Sequence, residues 1–280
     1  MIWLIVKIAI VLIILLLIYG FASNYFITTE KYCITVENTN EKELPIRIVM
    51  LADLHGSRFG KDNNHLIQMI HQQSPDLICV AGDMTVKNGM GIEECMALCY
   101  ELMKICPVYY APGNHEIRMP QWETYGKRLK QLGVNWLDNQ QMSLMIRGKK
   151  LHICGLDLPE DWYHKFWKKC NFTVTDMRDM IGNAPTDGYT VLLAHNPEYF
   201  ETYAKWGADL VCAGHVHGGI ARLPILGGVI DPSLRLFPKY DAGRFEIDSS
   251  VMILTRGLGT HHIRLRFFNV PEISVIDLHL

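Results

Sequence analysis

The pattern of apolar and polar positions divides the chain into an apolar N-terminal run, a polar stretch and a long region of alternating short elements. Residues 2–19 are apolar except for Lys7. Such a helix rises about 27 Å at ~1.5 Å per residue, close to the roughly 30 Å core of a bilayer. We therefore predict a transmembrane anchor over residues 1–22. The alternative, a cleaved signal peptide, usually has a shorter apolar core of about 7–15 residues.

Residues 23–44 are polar and predict a linker, with room for a first strand near Ile34–Val36. Beyond them, strand and helix patterns alternate. Strand patterns occupy 46–51, 77–80 and 108–110, and helical patterns occupy 63–73 and 92–105. This β-α-β-α-β order predicts an α/β fold with parallel strands.

The second half of the chain is richer in strands. A hairpin is predicted at 141–146 and 151–154, a partly helical insertion at 157–181, and further strands at 190–193, 209–212, 245–247, 251–254 and 272–278. One domain over residues 45–280 can accommodate these elements as two facing mixed β-sheets, each flanked by helices.

Polar side chains follow five of the apolar strands directly. They are Asp53 and His55, Asp83, Asn114, His195, and the pair His215 and His217. Any one of them alone is more often an ordinary surface or hydrogen-bonded residue. The carboxyl ends of parallel strands line one crevice, so we expect all seven in one place.

Two carboxylates and four imidazoles in one crevice need a counter-charge, which bound cations supply. Mixed nitrogen and oxygen ligands favour Mn, Fe, Zn or Co over calcium. Seven ligands are too many for one ion, whereas two ions sharing one carboxylate use them all.

The formal net charge is −2 and the sequence pI is about 6.6, so the basic footprint of a nucleic-acid-binding protein is missing. Eight cysteines are present, several inside apolar runs, and no C-x-x-C occurs. This pattern predicts buried free thiols rather than disulfides or a cysteine zinc site, which favours a reducing compartment.

The chain resembles the calcineurin-like metallophosphoesterases. The matching blocks are Asp53-x-His55, Gly82-Asp83, Gly113-Asn114-His115-Glu116, His195 and Gly214-His215-x-His217. The runs 217–228, 237–240, 256–259 and 269–273 resemble the bacterial membrane-anchored branch, in which some relatives cleave the pyrophosphate of UDP-2,3-diacylglucosamine. Serine/threonine protein phosphatases carry Val-Asp-Arg-Gly after the Gly-Asp, where this chain has Met84-Thr85-Val86-Lys87. This difference argues against phosphoproteins as the substrate.

The resemblance implies a four-layer α/β/β/α fold and the following roles. One divalent ion, among Mn, Fe, Zn and Mg, would be held by Asp53, His55, Asp83 and His217, and a second by Asp83, Asn114, His195 and His215. His115 would be the catalytic histidine that stabilises the transition state or protonates the leaving oxygen. Glu116 would orient a ligand or His115, or would simply be solvated. Arg256 is a further candidate for a supporting or substrate contact.

The expected reaction is hydrolysis of a phosphodiester or pyrophosphate bond. An anchored enzyme with aromatic residues such as Trp162 and Trp167 in its insertion suggests a lipid-linked substrate, although these aromatics also suit an ordinary amphipathic cap. The alternatives are soluble nucleotides or cell-wall phosphodiesters, with the anchor serving only location, and a non-catalytic scaffold. The scaffold predicts missing ligands, and none is missing.

These features place the protein in the cell membrane as a single-pass protein. Lys7 and Lys31 flank the span and do not choose its orientation. The family resemblance favours an extracytoplasmic catalytic domain, whereas the free cysteines favour the cytoplasm. The expected partners are the bilayer and a phosphorylated small-molecule or lipid substrate, and the sequence leaves the oligomeric state open.

Overall fold

The computed structural model describes residues 1–36, 39, 43–163, 171–219, 221–223, 226–230, 236–260 and 264–280. The α-helices in this part of the chain are Ile2–Ala22 (α1), Asn64–Gln72 (α2), Ile92–Met103 (α3), Asn114–Ile117 (α4), Trp122–Leu132 (α5), Val174–Ile181 (α6) and Phe200–Trp206 (α7). The strands are Thr28–Thr35 (β1), Ile46–Leu51 (β2), Leu77–Ala81 (β3), Val108–Ala111 (β4), Asn135–Trp136 (β5), Gln140–Ile146 (β6), Lys149–Leu156 (β7), Tyr189–Ala194 (β8), Leu210–Ala213 (β9), Ala221–Leu223 (β10), Gly227–Ile230 (β11), Gly243–Ile247 (β12), Ser250–Leu254 (β13) and Glu272–His279 (β14). Short 3-10 turns lie at Ser23–Tyr25, Lys61–Asn63, Glu160–Trp162 and Pro197–Tyr199.

The strands form two mixed sheets and a separate hairpin. The first sheet has the order β1-β14-β2-β3-β4-β5 and is parallel except where β14 meets β2. The second has the order β12-β13-β9-β8-β7-β6, parallel in its middle and antiparallel at both edges. The antiparallel pair β10–β11 stands apart from both.

The sheets pack face to face, with helices on both outer sides. Met50 from the first sheet and Ile153 and Leu193 from the second belong to one buried cluster between them. Helices α2, α3 and α5 cover the first sheet, and α6 and α7 cover the second. The predicted arrangement of two facing mixed sheets flanked by helices is confirmed.

The local sequence explains these elements. In β2 the side chains of Ile48 and Met50 enter the cluster between the sheets, while Val49 and Leu51 pack under the helices. Because both faces of the strand are buried, its sequence is a nearly continuous apolar run rather than an alternation of apolar and polar residues. Helix α6 begins at Thr173, whose hydroxyl accepts a hydrogen bond from the Asp176 backbone N–H in a reciprocal capping box.

Strand β1 is longer than the sequence indicated. It pairs in parallel with β14, from Thr28 opposite Glu272 to Thr35 opposite His279. The linker expected over 23–44 thus contributes an edge strand to the sheet of the main domain. A boundary at residue 45 would separate this strand from its sheet, and we therefore propose that the folded domain begins at Thr28.

Two further expectations concern the anchor and the cysteines. Among the described residues, α1 is the helix long and apolar enough to cross a membrane, a test of length and composition that a signal sequence also passes. The seven cysteines that the structure describes are all free, and five of them are buried, as predicted.

Candidate metal centre

The loops that follow β2, β3, β4, β8 and β9 meet at one edge of the two sheets. Backbone hydrogen bonds join them: the N–H of Asp53 donates to Gly82 O at 3.0 Å, and the N–H of His55 donates to Asp83 O at 3.0 Å. Gly214 N–H donates to His195 O at 3.1 Å in the second sheet. The structure thus brings the seven predicted ligand residues together, and all except His215, which is partly exposed, are buried.

Their donor atoms form two adjoining groups. Asp53, His55 and His217 have ligand atoms within 4.8 Å of one another, and so do Asp83, His195 and His215. Asp83 lies between the groups: its Oδ2 is 3.1 Å from His195 Nε2 and 4.0 Å from His55 Nε2. One carboxylate that reaches both groups is what two ions sharing a ligand require.

The imidazole nitrogens are oriented for a cation. His195 Nδ1 lies 2.7 Å from Ala81 O, and His217 Nδ1 lies 3.0 Å from Gly259 O. A carbonyl only accepts, so each Nδ1 carries the proton in the neutral ring and each Nε2 presents a lone pair. The Nε2 atoms of His55 and His217 are 3.1 Å apart.

A further oxygen donor comes from Asn114. Its side-chain oxygen is buried and has no hydrogen-bond partner among the described residues. An unpaired buried amide oxygen is costly unless a ligand completes it. The donor set of carboxylate oxygens, one amide oxygen and imidazole nitrogens fits divalent cations such as Mn, Fe or Zn.

In the protein alone the pKa shifts divide the cluster. Asp83 and His195 form a charged pair, in which the Asp83 carboxylate raises the pKa of His195 to about 10 against the effect of burial. The pKa shifts of Asp53, His215 and His217 favour their neutral forms. Burial raises the pKa of the Asp53 carboxyl to about 7. Burial lowers the pKa of His215 to about 3 and holds that of His217 well below its ordinary value. For Asp83, burial opposes ionisation, but the neighbouring His195 and His115 hold its pKa well below the usual range. Cations would keep both carboxylates ionised and the imidazoles neutral.

Most of the ligand residues have an unusual backbone conformation. Asp53, His55, Asp83, His215 and His217 have φ between 48° and 77°. Residues other than glycine rarely occupy this left-handed region, and each such position costs on the order of 1–3 kcal/mol when the surroundings enforce it. The tight turns that result direct the side chains back into the crevice.

Gly214 shows how closely two of these turns pack. A Cβ at this position would lie 2.7 Å from Asp53 Oδ2 and 2.8 Å from the Ala52 side chain. A larger residue would therefore displace Asp53, whose carboxylate accepts the His215 N–H at 3.0 and 3.1 Å.

Glu116 supports the centre from behind. Its Oε2 accepts the backbone N–H groups of Asp83 at 2.8 Å and Gly113 at 2.9 Å, and its Oε1 accepts the Tyr110 hydroxyl at 2.9 Å. The carboxylate thus joins the loops after β3 and β4. Burial raises its pKa to about 7.

His115 lies at the side of the centre. Its backbone N–H donates to Asp83 Oδ1 at 2.7 Å, and its Nδ1 accepts the Lys87 N–H at 3.2 Å. Its ring is 4.7 Å from that of His55, between ring centroids. A ring nitrogen of His115 also lies within 4.8 Å of ligand atoms of His55 and Asp83. Geometry alone thus allows it to bind an ion or to face the substrate.

The remaining predicted residues lie elsewhere. The Trp162 ring packs on Phe172 and Tyr199, with centroids 5.0 and 6.0 Å away. It therefore contributes to the apolar cluster between α7 and the second sheet. The Arg256 guanidinium is bound by Glu30 at 2.7 Å and by Glu272, so its charge is used within the fold. Trp167 lies outside the described residues.

Several residues that support the centre were not singled out in the sequence. Asn269 donates to His217 O at 2.8 Å and also to Gly219 O. Buried Arg266 donates to Gly259 O at 2.5 Å, the same carbonyl that orients His217. The Tyr163 ring packs edge-on against His215, with centroids 5.3 Å apart. Only the run 269–273 gave a signal, through its resemblance to the anchored branch.

Sequence comparison relates the chain to known metallophosphoesterases. The family model of the calcineurin-like phosphoesterases matches residues 46–219. The chain is 26% identical over 264 residues to an uncharacterized metallophosphoesterase of Aquifex aeolicus, covering 93% of this chain and 95% of that protein. It is 27% identical over 240 residues to phosphodiesterase YaeI of Escherichia coli, covering 84% and 82%. A Danio rerio transmembrane protein with metallophosphoesterase domain is 24% identical over 254 residues, covering 88% of this chain and 56% of that protein.

Proposed function

The chain belongs to the calcineurin-like phosphoesterase family, and on that premise we propose that it is a membrane-anchored two-metal phosphodiesterase or pyrophosphatase acting on a lipid-linked substrate. Membership of the family and the clustered ligand residues make the protein a metal-dependent phosphoric ester hydrolase. The anchor, the ion assignment, the role of His115 and the lipid substrate are the parts that we propose.

The position of Asp83 is the observation that carries the proposal. Its carboxylate reaches both ligand groups, at 3.1 Å from His195 and 4.0 Å from His55. In this assignment Asp53, His55 and His217 complete the first site, and Asn114, His195 and His215 complete the second. When bound, two divalent cations would polarise a phosphoryl group and supply a nucleophile from water at neutral pH.

His115 is the proposed catalytic residue. Its Nδ1 accepts the Lys87 N–H, so the neutral ring carries its proton on Nε2. That proton can be offered to the oxygen that leaves phosphorus. The bond from the His115 backbone N–H to Asp83 Oδ1, at 2.7 Å, fixes the histidine against the shared carboxylate. Glu116 binds the backbone N–H groups of Asp83 and Gly113, and so holds the two loops that carry Asp83 and His115 at a fixed distance.

The apolar helix α1 supports a substrate that resides in a membrane. Its 21 residues rise about 31 Å, enough to cross the hydrocarbon core. One relative of the chain is named as a transmembrane protein, which agrees with an anchor. A phosphodiester or pyrophosphate linked to a lipid, of which UDP-2,3-diacylglucosamine is an example, is therefore the proposed substrate class.

The test compares two substrates on the full-length protein in phospholipid vesicles, after loading with Mn²⁺, Zn²⁺ or Mg²⁺. We expect metal-dependent hydrolysis of bis(p-nitrophenyl) phosphate and faster hydrolysis of UDP-2,3-diacylglucosamine dispersed in the same vesicles. An Asp83→Asn variant is the control for metal-dependent chemistry. Activity on the soluble diester alone would refute the lipid substrate and favour an anchor that serves only location.

A further inference from the structure

The C-terminal end of α1 is docked on the main domain. Gly20 O accepts the Arg266 N–H at 2.9 Å, and the Asn24 side chain donates to Arg264 O at 3.0 Å. The rings of Tyr19 and Phe268 are 5.5 Å apart. Gly20 packs so closely that a Cβ there would lie 2.5 Å from the Phe267 ring. The anchor therefore ends in a fitted contact with residues 264–268.

The same segment pairs with the β10–β11 hairpin. Phe267 bridges Ala221 in parallel, and Arg222 N–H donates to Phe267 O at 3.0 Å. The hairpin in turn contacts the chain that follows it, through an Ile230–Leu236 bridge and a 2.9 Å hydrogen bond from Phe237 N–H to Val229 O. Continuous backbone contacts thus run from the end of α1 to Phe237.

Large apolar side chains are exposed along the segments that these backbone contacts connect. Their exposed fractions are 43% for Leu223, 62% for Leu226, 66% for Leu236, 59% for Phe237 and 60% for Phe268. We call these five residues the juxtamembrane face. Two cations beside it are ion-paired, Arg222 with Asp241 at 3.0 Å and Lys239 with Glu201 at 2.9 Å, and Arg264 in the docked segment is exposed.

We propose that the juxtamembrane face is inserted into the interfacial layer of the bilayer that α1 spans, an inference that rests on the proposed anchoring. Exposed apolar clusters of this kind mark contact with a membrane or a protein. The continuity of this face with the end of α1 favours the membrane, because a spanning helix brings the docked segment to the bilayer surface.

Insertion of the juxtamembrane face would hold the metal centre beside the lipid headgroups. Leu223 follows the proposed ligand His217 by six residues, which span at most about 22 Å of extended chain. Asn269, the residue after Phe268, donates to His217 O at 2.8 Å. The segment that contacts the anchor is therefore the segment that supports a metal ligand.

The experiment places an environment-sensitive NBD label at single cysteines in the full-length protein, reconstituted in phosphatidylcholine vesicles. Exposed Cys33, partly exposed Cys106 and Cys170, which lies outside the described residues, are first changed to serine. Leu226→Cys tests the face. Met145→Cys is the matched control, because Met145 is also 62% exposed but lies on β6 at the far edge of the second sheet. Phe237→Cys is a second test position.

We expect the labels at 226 and 237 to shift to the blue and to be quenched by lipids that carry a nitroxide high on the acyl chain. Interfacial elements insert about 5–10 Å into the headgroup and acyl boundary, so the quenching should be shallow. The label at 145 should keep the emission it has in water. Hydrolysis of a soluble diester by each labelled protein confirms that the fold is intact.

The same vesicles are washed with alkaline carbonate to test the anchor separately. Protein that resists the wash but carries an unquenched label at both 226 and 237 would overturn the juxtamembrane face alone. Protein released by the wash would overturn the proposed anchoring, and the face with it. Retention together with quenching only at 226 and 237 would support both.

Discussion

The support that Arg266 gives to the metal centre can be tested by replacing it with methionine. The side chain is 1% exposed, and its guanidinium donates to Arg256 O at 3.0 and 3.1 Å, Asn269 O at 3.2 Å, Gly257 O at 3.4 Å and Gly259 O at 2.5 Å. Methionine fills a similar length but offers no donor. The carbonyl that orients His217 would then be held from one side only.

The cost follows from the carbonyls left behind. Gly259 O keeps its bond from His217, and Gly257 O keeps the Glu272 N–H at 3.3 Å. Arg256 O and Asn269 O lose the hydrogen bonds that the described residues give them. At about 1–3 kcal/mol for each unpaired buried carbonyl, the loss is about 2–6 kcal/mol. Burial lowers the pKa of Arg266 to about 10, so removing the charge recovers part of this, and we expect the lower half of the range.

Thermal unfolding and metal titration of the full-length protein in detergent are the assays. A loss of about 2–4 kcal/mol corresponds to a Tm that is lower by about 4–16 °C for a domain of this size. Loss of a partner that orients a ligand typically weakens metal binding about 10–100-fold. Arg264→Met, an exposed arginine two residues away, is the matched control. An Arg266→Met protein with the Tm and metal affinity of that control would refute the reasoning.

Three further changes test the site and the domain boundary. Asp83→Asn should lose both ions and activity together, as measured by mass spectrometry of bound metal; two fully bound ions in this variant would disprove the shared carboxylate. His115→Ala should keep both ions but slow turnover about 10²–10⁴-fold, less for diesters with very good leaving groups. Loss of metal in this variant would instead make His115 a ligand. A chain that begins at residue 40 should unfold at a lower temperature than one that begins at residue 27, because it lacks β1 and with it the Glu30 partner of Arg256, at 2.7 Å. Equal melting temperatures would place the start of the domain after β1.

The two-sheet core and the gathering of the ligand residues were predictable from the sequence because both follow from local patterns. Strands such as β3 and β9 are short apolar runs buried on both faces, and each ends directly before a ligand loop. The rule that parallel strands end at one edge then placed Asp83 and His215 together without any knowledge of the rest of the chain.

The support of those ligands could not be predicted in the same way. Arg266 and Asn269 contact His217 and Gly259 across loops that have no periodic pattern, and a buried arginine is not distinguishable from an exposed one in sequence. The pairing of β1 with β14 joins residues more than 240 positions apart, and neither strand carries a signal for the other. The left-handed backbone at Asp53 and Asp83 is likewise set by the turns and not by residue type.

Aromatic residues in the insertion show the limit of an amphipathic pattern. Trp162 lies in a segment rich in aromatic and cationic residues, which suggested contact with a membrane interface. Its ring instead packs against Phe172 and Tyr199, and its backbone carbonyl accepts hydrogen bonds from Asn196 and Tyr199. Sequence context does not distinguish a tryptophan that covers a protein core from one that enters a membrane. The five residues of the juxtamembrane face, by contrast, are exposed, although no periodic pattern in the sequence singles them out.

The link between α1 and β1 also bears on how a substrate would reach the metal centre. Only residues 23–27 separate the two elements, and they span at most about 18 Å even when extended. A free linker of that length would still allow the domain to rotate about the helix end. The hydrogen bonds from Arg266 to Gly20 and from Asn24 to Arg264 remove that freedom, since they fix the helix end to the segment that supports His217. If α1 spans the bilayer, the orientation of the crevice toward the lipid surface is then set by the fold, and a lipid-linked phosphate would meet the metal centre from one defined side.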